Sequence, residues 1–223
     1  MNELLFLLFG WLLGLLSPGI VDSIKQKRIN NEIKDAIIAE MNDLEYRLML
    51  FSFRLFIHVG NVKQEFLKWA LSVFDKYSGP FENKKMNEIV KHWSDFNDEQ
   101  LAQRFRAKKR GLRISKIYVP FTLSKVNSLS YFPINFQKNI LSILSQLTML
   151  NEDIAFSLSD FEKTFIPEIP DTILENVLTN IGEGYERMGE RARSITKIIQ
   201  EIRYKNIANK SSHFAMGNRS QKP

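Results

Sequence analysis

LENVLTNIGEGYERMGERARSITKIIQEI, residues 174–202, carries apolar side chains at intervals that alternate between four and three. This spacing repeats every seven residues and places the side chains in one stripe along a helix, which is typical of a coiled coil. The stretch is therefore predicted to be a long helix that packs lengthwise against another helix. The predicted coiled-coil seam consists of Leu174, Leu178, Ile181, Tyr185, Met188, Ala192, Ile195, Ile199 and Ile202.

Two other segments have the same periodicity and supply partners for this helix. One extends from Phe136 to Phe165 and is closed by the sequence PEIP at 167–170; the other extends from Asp22 to His58. Because a short loop joins the last two helices, they should pack antiparallel, and the earlier helix is long enough to join them. We expect an all-α fold, an elongated antiparallel helical bundle or coiled coil, with shorter helices before Gly111 and an irregular connector at 112–133.

Three glycines, Gly182, Gly184 and Gly189, interrupt the last helix away from its seam. Each costs about 1 kcal/mol of helix stability relative to alanine. Such positions indicate either that another helix approaches closely there or that the helix bends, and close approach is the simpler interpretation.

The N-terminal segment LLFLLFGWLLGLLSPGIV, residues 4–21, has the length and composition of a membrane span. As a helix it would rise about 27 Å, close to the hydrocarbon thickness of a bilayer. Its leucines, phenylalanines and β-branched residues favour insertion by about 4 to 7 kcal/mol before deductions for Ser17, Pro18 and the glycines. A cleaved export signal and a buried helix of a soluble core are the alternatives, and an uncleaved transmembrane anchor is preferred to both. Pro18 either kinks the span or begins a new helix.

Charge placement predicts the orientation of this anchor and a division of the chain. Lys25, Lys27 and Arg28 follow the span directly and no basic side chain precedes it, so the C-terminal side is expected in the cytoplasm. The predicted parts are a transmembrane anchor at 1–24, a cytoplasmic helical bundle at 25–205 and a flexible polar tail at 206–223. Gly10 and Gly14 form a G-x-x-x-G pair that favours association of anchors.

The net charge of +6 favours polyanionic partners. The stretch from Arg104 to Lys116 contains seven basic residues and no acidic one. With the anchor in place the inner leaflet is the nearest polyanion, whereas nucleic acid is less favoured because few aromatic residues are interleaved. A solvated helix end is the structural alternative. The predicted contacts with anionic lipid or another polyanion are Lys25, Lys27, Arg28, Arg104, Arg106, Lys108, Lys109, Arg110, Arg113 and Lys116.

Residues suited to catalysis are sparse. The chain has no cysteine and three histidines, none at metal-ligand spacing from another. Arg54-x-x-x-His58 resembles the Arg-x(4 to 6)-His motif of HEPN ribonucleases, which are helical, but it is one residue shorter. That resemblance implies a nuclease that uses His58 and the basic stretch. Apart from this resemblance, no pattern in the sequence indicates catalysis, and we expect no enzyme activity, no metal and no cofactor.

The predicted function is that of a non-enzymatic helical scaffold or sensor, anchored by a single span in the inner or plasma membrane with its N-terminus outside. Its expected partners are the lipid bilayer and either a second copy of the chain or another coiled-coil protein. A membrane effector that disturbs the bilayer through association at Gly10 and Gly14 is the alternative. Nucleic-acid binding or cleavage is the third reading.

Overall fold

Helices account for all regular secondary structure in the described part of the chain, and the predicted all-α class is confirmed. The structure, a computed structural model, describes residues 2–80, 83–107, 111–167 and 169–217, and of 2–10, 12–17 and 206–217 it describes the backbone alone. The helices are α1 (Asn2–Val59), α2 (Gln64–Phe74), α3 (Lys84–Ser94), α4 (Asp98–Arg104), α5 (Pro120–Ser124), a 3₁₀ helix (Val126–Tyr131), α6 (Ile134–Lys163) and α7 (Asp171–Gly217).

The three long helices form a bundle, with α7 antiparallel to both α1 and α6. Ser52 of α1 donates a hydrogen bond to the carbonyl of Gly189 at 3.0 Å, whereas Glu45, two turns earlier in α1, accepts one from Gln200 at 2.8 Å. Residue numbers along α1 therefore decrease in the direction in which those along α7 increase, so the two helices are antiparallel. Because a short loop joins α6 to α7, α6 runs in the same direction as α1. The predicted helical bundle is confirmed.

The predicted seam of α7 lies in the main core of this bundle. Its seven members from Ile181 to Ile202 are buried, and they pack with apolar side chains of α1 and α6. Leu174 and Leu178 are only half-buried, and Val177 is buried in their place, so the helix presents a slightly rotated face in its first turns. The buried part of the seam is thus covered by α1 and α6 of the same chain.

A second face of α1 supports a smaller core. Tyr46, Met49, Phe53 and Phe56 are buried against α2, α3 and α4, on the side of α1 away from the main core. Their spacing of three, four and three is itself a helical stripe. Helix α1 therefore separates two apolar layers, and α4 begins with a capping box formed by Asn97 and Gln100.

The connector at 112–119 contains neither helix nor strand. The hydroxyl of Tyr185 bonds both backbone groups of Leu112, at 2.5 and 2.8 Å, and the amide of Asn151 bonds both backbone groups of Ile117, each at 2.8 Å. Side chains of α6 and α7 thus replace a neighbouring strand, because buried backbone groups need partners. The connector then enters α5, where Glu40 of α1 accepts bonds from the first amides.

The two long outer helices extend further than the bundle core. Helix α1 continues through Pro18, and α7 ends at Gly217; residues 218–223 lie outside the described part. The predicted division into anchor, bundle and tail stays a prediction. Within the residues that the structure describes, no helix combines the length and the apolar character needed to cross a membrane. Most side chains of the predicted span at 4–21 fall outside that set.

Candidate functional site

The N-terminal part of α1 projects from the bundle with apolar side chains in solvent. Trp11, Ile20, Val21 and Ile24 are each more than half exposed, and every side chain from 18 to 28 is exposed. Burial along α1 becomes complete only at Ile37, which is 0% exposed. Removal of apolar surface from water is favourable by about 25 cal/mol for each Å². This surface is therefore available for lipid or for another protein.

Three basic side chains follow directly on this projecting end. Lys25, Lys27 and Arg28 are all exposed. Arg28 pairs with Glu32 one turn along the helix, with 2.9 Å between Nε and Oε1, and an exposed pair of this type contributes little to stability. The lysines extend into solvent beside the apolar side chains, so that a polar band separates the projecting end from the bundle.

The basic stretch that begins at Arg104 lies at the opposite end of α1. Gly60, which has a φ of 75°, ends α1 and touches this stretch so closely that an added Cβ would lie 2.6 Å from the backbone nitrogen of Ala107. From Lys25 to Gly60 the helix rises about 50 Å at 1.5 Å per residue. The two basic clusters predicted from the sequence therefore do not form one surface.

The basic side chains of the stretch from Arg104 to Lys116 have different surroundings. The guanidinium of Arg104 lies over the rings of Trp93 and Phe96, at 5.7 and 5.9 Å from their centroids, in a cation–π arrangement. Arg106, Arg113 and Lys116 are exposed. Lys108, Lys109 and Arg110 lie outside the described residues.

A cavity of about 340 Å³ lies beside this cluster and is lined by His58 and Tyr185. The His58 ring is buried and meets Tyr185 edge to face, with 5.5 Å between centroids. Arg54, by contrast, is exposed and does not line the cavity. The structure thus gives the two residues of the HEPN-like motif different environments.

Two polar side chains that line this cavity, Tyr185 and Glu186, form hydrogen bonds within the chain. Burial raises the pKa of the Tyr185 phenol, and its hydroxyl is already bonded to both backbone groups of Leu112. Glu186 accepts a hydrogen bond from Asn61 at 3.2 Å. In the part of the chain that the structure describes, no three His, Asp or Glu side chains converge on a position suited to a metal ion.

A cavity of about 640 Å³ forms an open groove between α1, the end of α2 and α7, and the sequence did not predict it. Glu45, only 2% exposed, forms an ion pair there with Arg203 and also accepts the bond from Gln200. Burial lowers the pKa of Arg203. Asp43 and Lys76 add one charge of each sign to the lining, so the groove has no strong preference for anions or cations.

Ion pairs also connect the outer surfaces of the helices. Arg191 and Arg187 of α7 reach Asp153 of α6 at 3.1 and 3.5 Å, and Arg193 reaches Glu65 of α2 at 2.6 Å. These contacts join α7 to α6 and to α2. The alternation of charge in α7 was the only sequence signal for them, and it does not name their partners.

Gly10 and Gly14 lie where only the backbone of α1 is described, so their predicted association remains a prediction. Comparison of the chain with protein-family models, with curated proteins and with solved structures found no match in any of the three. The functional conclusion therefore depends on the surfaces of this chain alone.

Proposed function

We propose that this chain is a non-enzymatic scaffold held in the inner or plasma membrane by a single N-terminal helix, with its bundle in the cytoplasm. The observation that carries the proposal is the projecting end of α1, where Trp11, Ile20, Val21 and Ile24 are exposed before the core begins at Ile37. A lipid environment would remove this apolar surface from water. The uninterrupted apolar sequence at 4–16 supports the same environment for the preceding turns.

The basic side chains define how the anchor sits. Lys25, Lys27 and Arg28 fall at the point where α1 would leave the hydrocarbon, and anionic headgroups attract each of them by about 1 kcal/mol. We assign contact with the inner leaflet to these three residues. The cluster that includes Arg106 would stand about 50 Å further into the cytoplasm, because α1 is continuous between the two clusters. It is therefore assigned to a different, membrane-distal polyanion.

A scaffold role is supported by how the buried polar groups are used. Tyr185 bonds the backbone of the connector, and Glu45 is neutralised by Arg203. These groups hold helices together, whereas a catalytic site needs groups directed at a substrate. Continuous α1, by joining the projecting end to the bundle, would transmit position and orientation from the bilayer to the bundle.

Fractionation of cells that express the full-length chain tests the anchor. Replacing both Leu8 and Leu12 by Arg exchanges two favourable residues for two that each cost about 2.5 to 3.5 kcal/mol at the centre of a span. The total loss, about 6 to 8 kcal/mol, cancels the predicted insertion energy of about 4 to 7 kcal/mol. We expect the unaltered chain to resist extraction by high salt and alkaline carbonate, and the double variant to appear in the supernatant.

Ile89→Arg supplies a matched control, because Ile89 is an exposed apolar residue of α3 that lies in the bundle. This variant should remain in the membrane fraction. Recovery of the unaltered chain in the supernatant, or membrane retention of the Leu8→Arg/Leu12→Arg variant equal to that of the control, would refute the proposed anchor.

A further inference from the structure

The outer face of α6 carries an apolar stripe that the bundle leaves uncovered. Ile134, Leu141, Met149 and Phe156 are 61, 49, 47 and 72% exposed, although the opposite face of α6 lies in the main core. Their spacing of seven, eight and seven residues keeps them within an arc of about 80° at 100° per residue. Helix α6 is thus apolar on two opposite faces, and an exposed apolar patch of this kind marks an interaction surface.

The sequence of the stripe is symmetric about Ser145. Leu141 and Met149 lie four residues to either side of Ser145, and Ile134 and Phe156 lie eleven. Between them, the exposed Lys138 and Glu152 lie seven residues to either side. Neither of these two charged side chains forms an ion pair within the described part of the chain.

From this symmetry we infer that the stripe binds the same stripe of a second copy, with the two α6 helices antiparallel and crossing at Ser145. In a two-fold contact, residue i meets residue j while j meets i. Leu141 then packs against Met149 of the second copy, and Ile134 against Phe156. Lys138 faces Glu152 at two equivalent places.

The charges of Lys138 and Glu152 favour an antiparallel over a parallel arrangement of the two α6 helices. A parallel pair would place Lys138 against Lys138 and Glu152 against Glu152, and like charges at such short range are repulsive. The antiparallel pair converts both clashes into attractive contacts. A groove of about 350 Å³ flanks the stripe and exposes Tyr118 and Leu123, which extend the apolar surface on the same side of the bundle.

The area of the stripe indicates a reversible contact. At roughly 200 Å² for each fully exposed side chain of this size, the printed exposures give about 450 Å² of apolar surface per copy. Two copies would bury about 900 Å² through these residues, which is below the 1,200 Å² or more of stable complexes. Dimers should therefore form at high local concentration, and a trapping reaction is the suitable assay.

The dimer has a defined polarity. Helix α1 runs in the same direction as α6, and the two α6 helices of the dimer are antiparallel. The N-terminal ends of the two α1 helices therefore lie at opposite ends of the dimer. For the anchor proposed above, on which this consequence rests, the two copies would belong to facing bilayers. The pairing of α6 itself does not depend on the anchor.

Disulfide trapping tests the inference, because the natural chain has no cysteine. Full-length single variants Ser145→Cys, Leu141→Cys and Met149→Cys are purified in detergent and oxidised, alone and in differently tagged mixtures. We expect Ser145→Cys to cross-link with itself, and Leu141→Cys to cross-link with Met149→Cys but not with itself. Two copies of residue 141 would lie about 12 Å apart along the helix axis at 1.5 Å per residue, beyond the reach of a disulfide.

Asn176→Cys, exposed on α7, measures random collision. A mixed Leu141–Met149 product no more abundant than this background overturns the inference, and so does self-cross-linking of Leu141→Cys, which indicates a parallel pair. Lys138→Glu should lower the yield of the Ser145→Cys dimer several-fold, and Lys138→Glu/Glu152→Lys should restore it. Because trapping is done in detergent, its failure is distinct from failure of the membrane anchor, which fractionation reports.

Discussion

Replacing the three glycines of α7 by alanine should change stability in opposite directions. At Gly182 and Gly184, an added Cβ would meet no atom within 4 Å outside the local helix. Alanine there gains up to about 1 kcal/mol of helix stability without cost. For a chain of this size that gain raises the Tm by about 2 to 4 °C for each substitution.

At Gly189 the same substitution meets the ring of Phe56, with the new Cβ 2.8 Å from Cζ and 3.1 Å from Cε1. Carbon atoms in contact are normally about 3.5 to 4.0 Å apart, so the ring would have to move by almost 1 Å. Phe56 is 3% exposed and packs edge to face on Phe66 at 4.8 Å, which leaves it little room. Overpacking costs about 1 to 3 kcal/mol, more than the helix gain, and the net result is a loss of about 1 kcal/mol.

Thermal and urea unfolding of the full-length chain in detergent, followed by circular dichroism at 222 nm, measures both effects. In a Phe56→Leu background the penalty at Gly189 should disappear, while the gain at Gly184 should stay the same. Stabilisation by Gly189→Ala in the unaltered background equal to that by Gly184→Ala would refute the close approach of α1 and α7 at this position.

Two further predictions concern buried polar groups. Tyr185→Phe leaves both backbone groups of Leu112 without their partner and should cost about 1 to 3 kcal/mol, measured by urea unfolding at pH 7. The pKa of Tyr185 is raised in the folded chain, so the folded chain holds this proton more tightly than the unfolded chain. The free energy of unfolding is therefore retained below about pH 10, and it falls as the pH rises from there to the folded-state pKa. The phenylalanine variant should therefore lose less stability than the unaltered chain between pH 9 and 11, and equal slopes would contradict this role. Arg203→Met leaves Glu45 buried without its counter-ion and should cost about 3 kcal/mol, whereas Arg203→Met/Glu45→Leu should recover most of that loss; an equally unstable double variant would show that the pair is not the cause.

The long helices could be predicted from the sequence because each has an unbroken stripe on the side that faces the main core. The stripe from Ile181 to Ile202 is periodic, and its burial follows from that periodicity. The second stripe of α1, Tyr46 to Phe56, was missed because it lies on the side of the helix away from the first stripe, and the stripe alone does not indicate which elements cover it. The presence of apolar residues on two sides of α1 is a signal that could have revealed the α2–α4 layer.

Contacts between residues distant in sequence account for what could not be predicted. The connector at 112–119 alternates like a strand, but its partners are the side chains of Asn151 and Tyr185, which no local pattern indicates. The ion pair of Glu45 with Arg203 depends on the register of α1 against α7. The distance between the two basic clusters follows only once Gly60 is seen against Ala107.

The orientation of the full-length chain in intact cells tests the proposed anchor most directly. A single cysteine is placed at Asn2 in one variant and at the exposed Asn176 in another, and cells are treated with a thiol reagent that does not cross membranes. We expect the cysteine at position 2 to react in intact cells and the cysteine at 176 to react only after lysis. Labelling of position 176 in intact cells, or protection of position 2 until lysis, would contradict it.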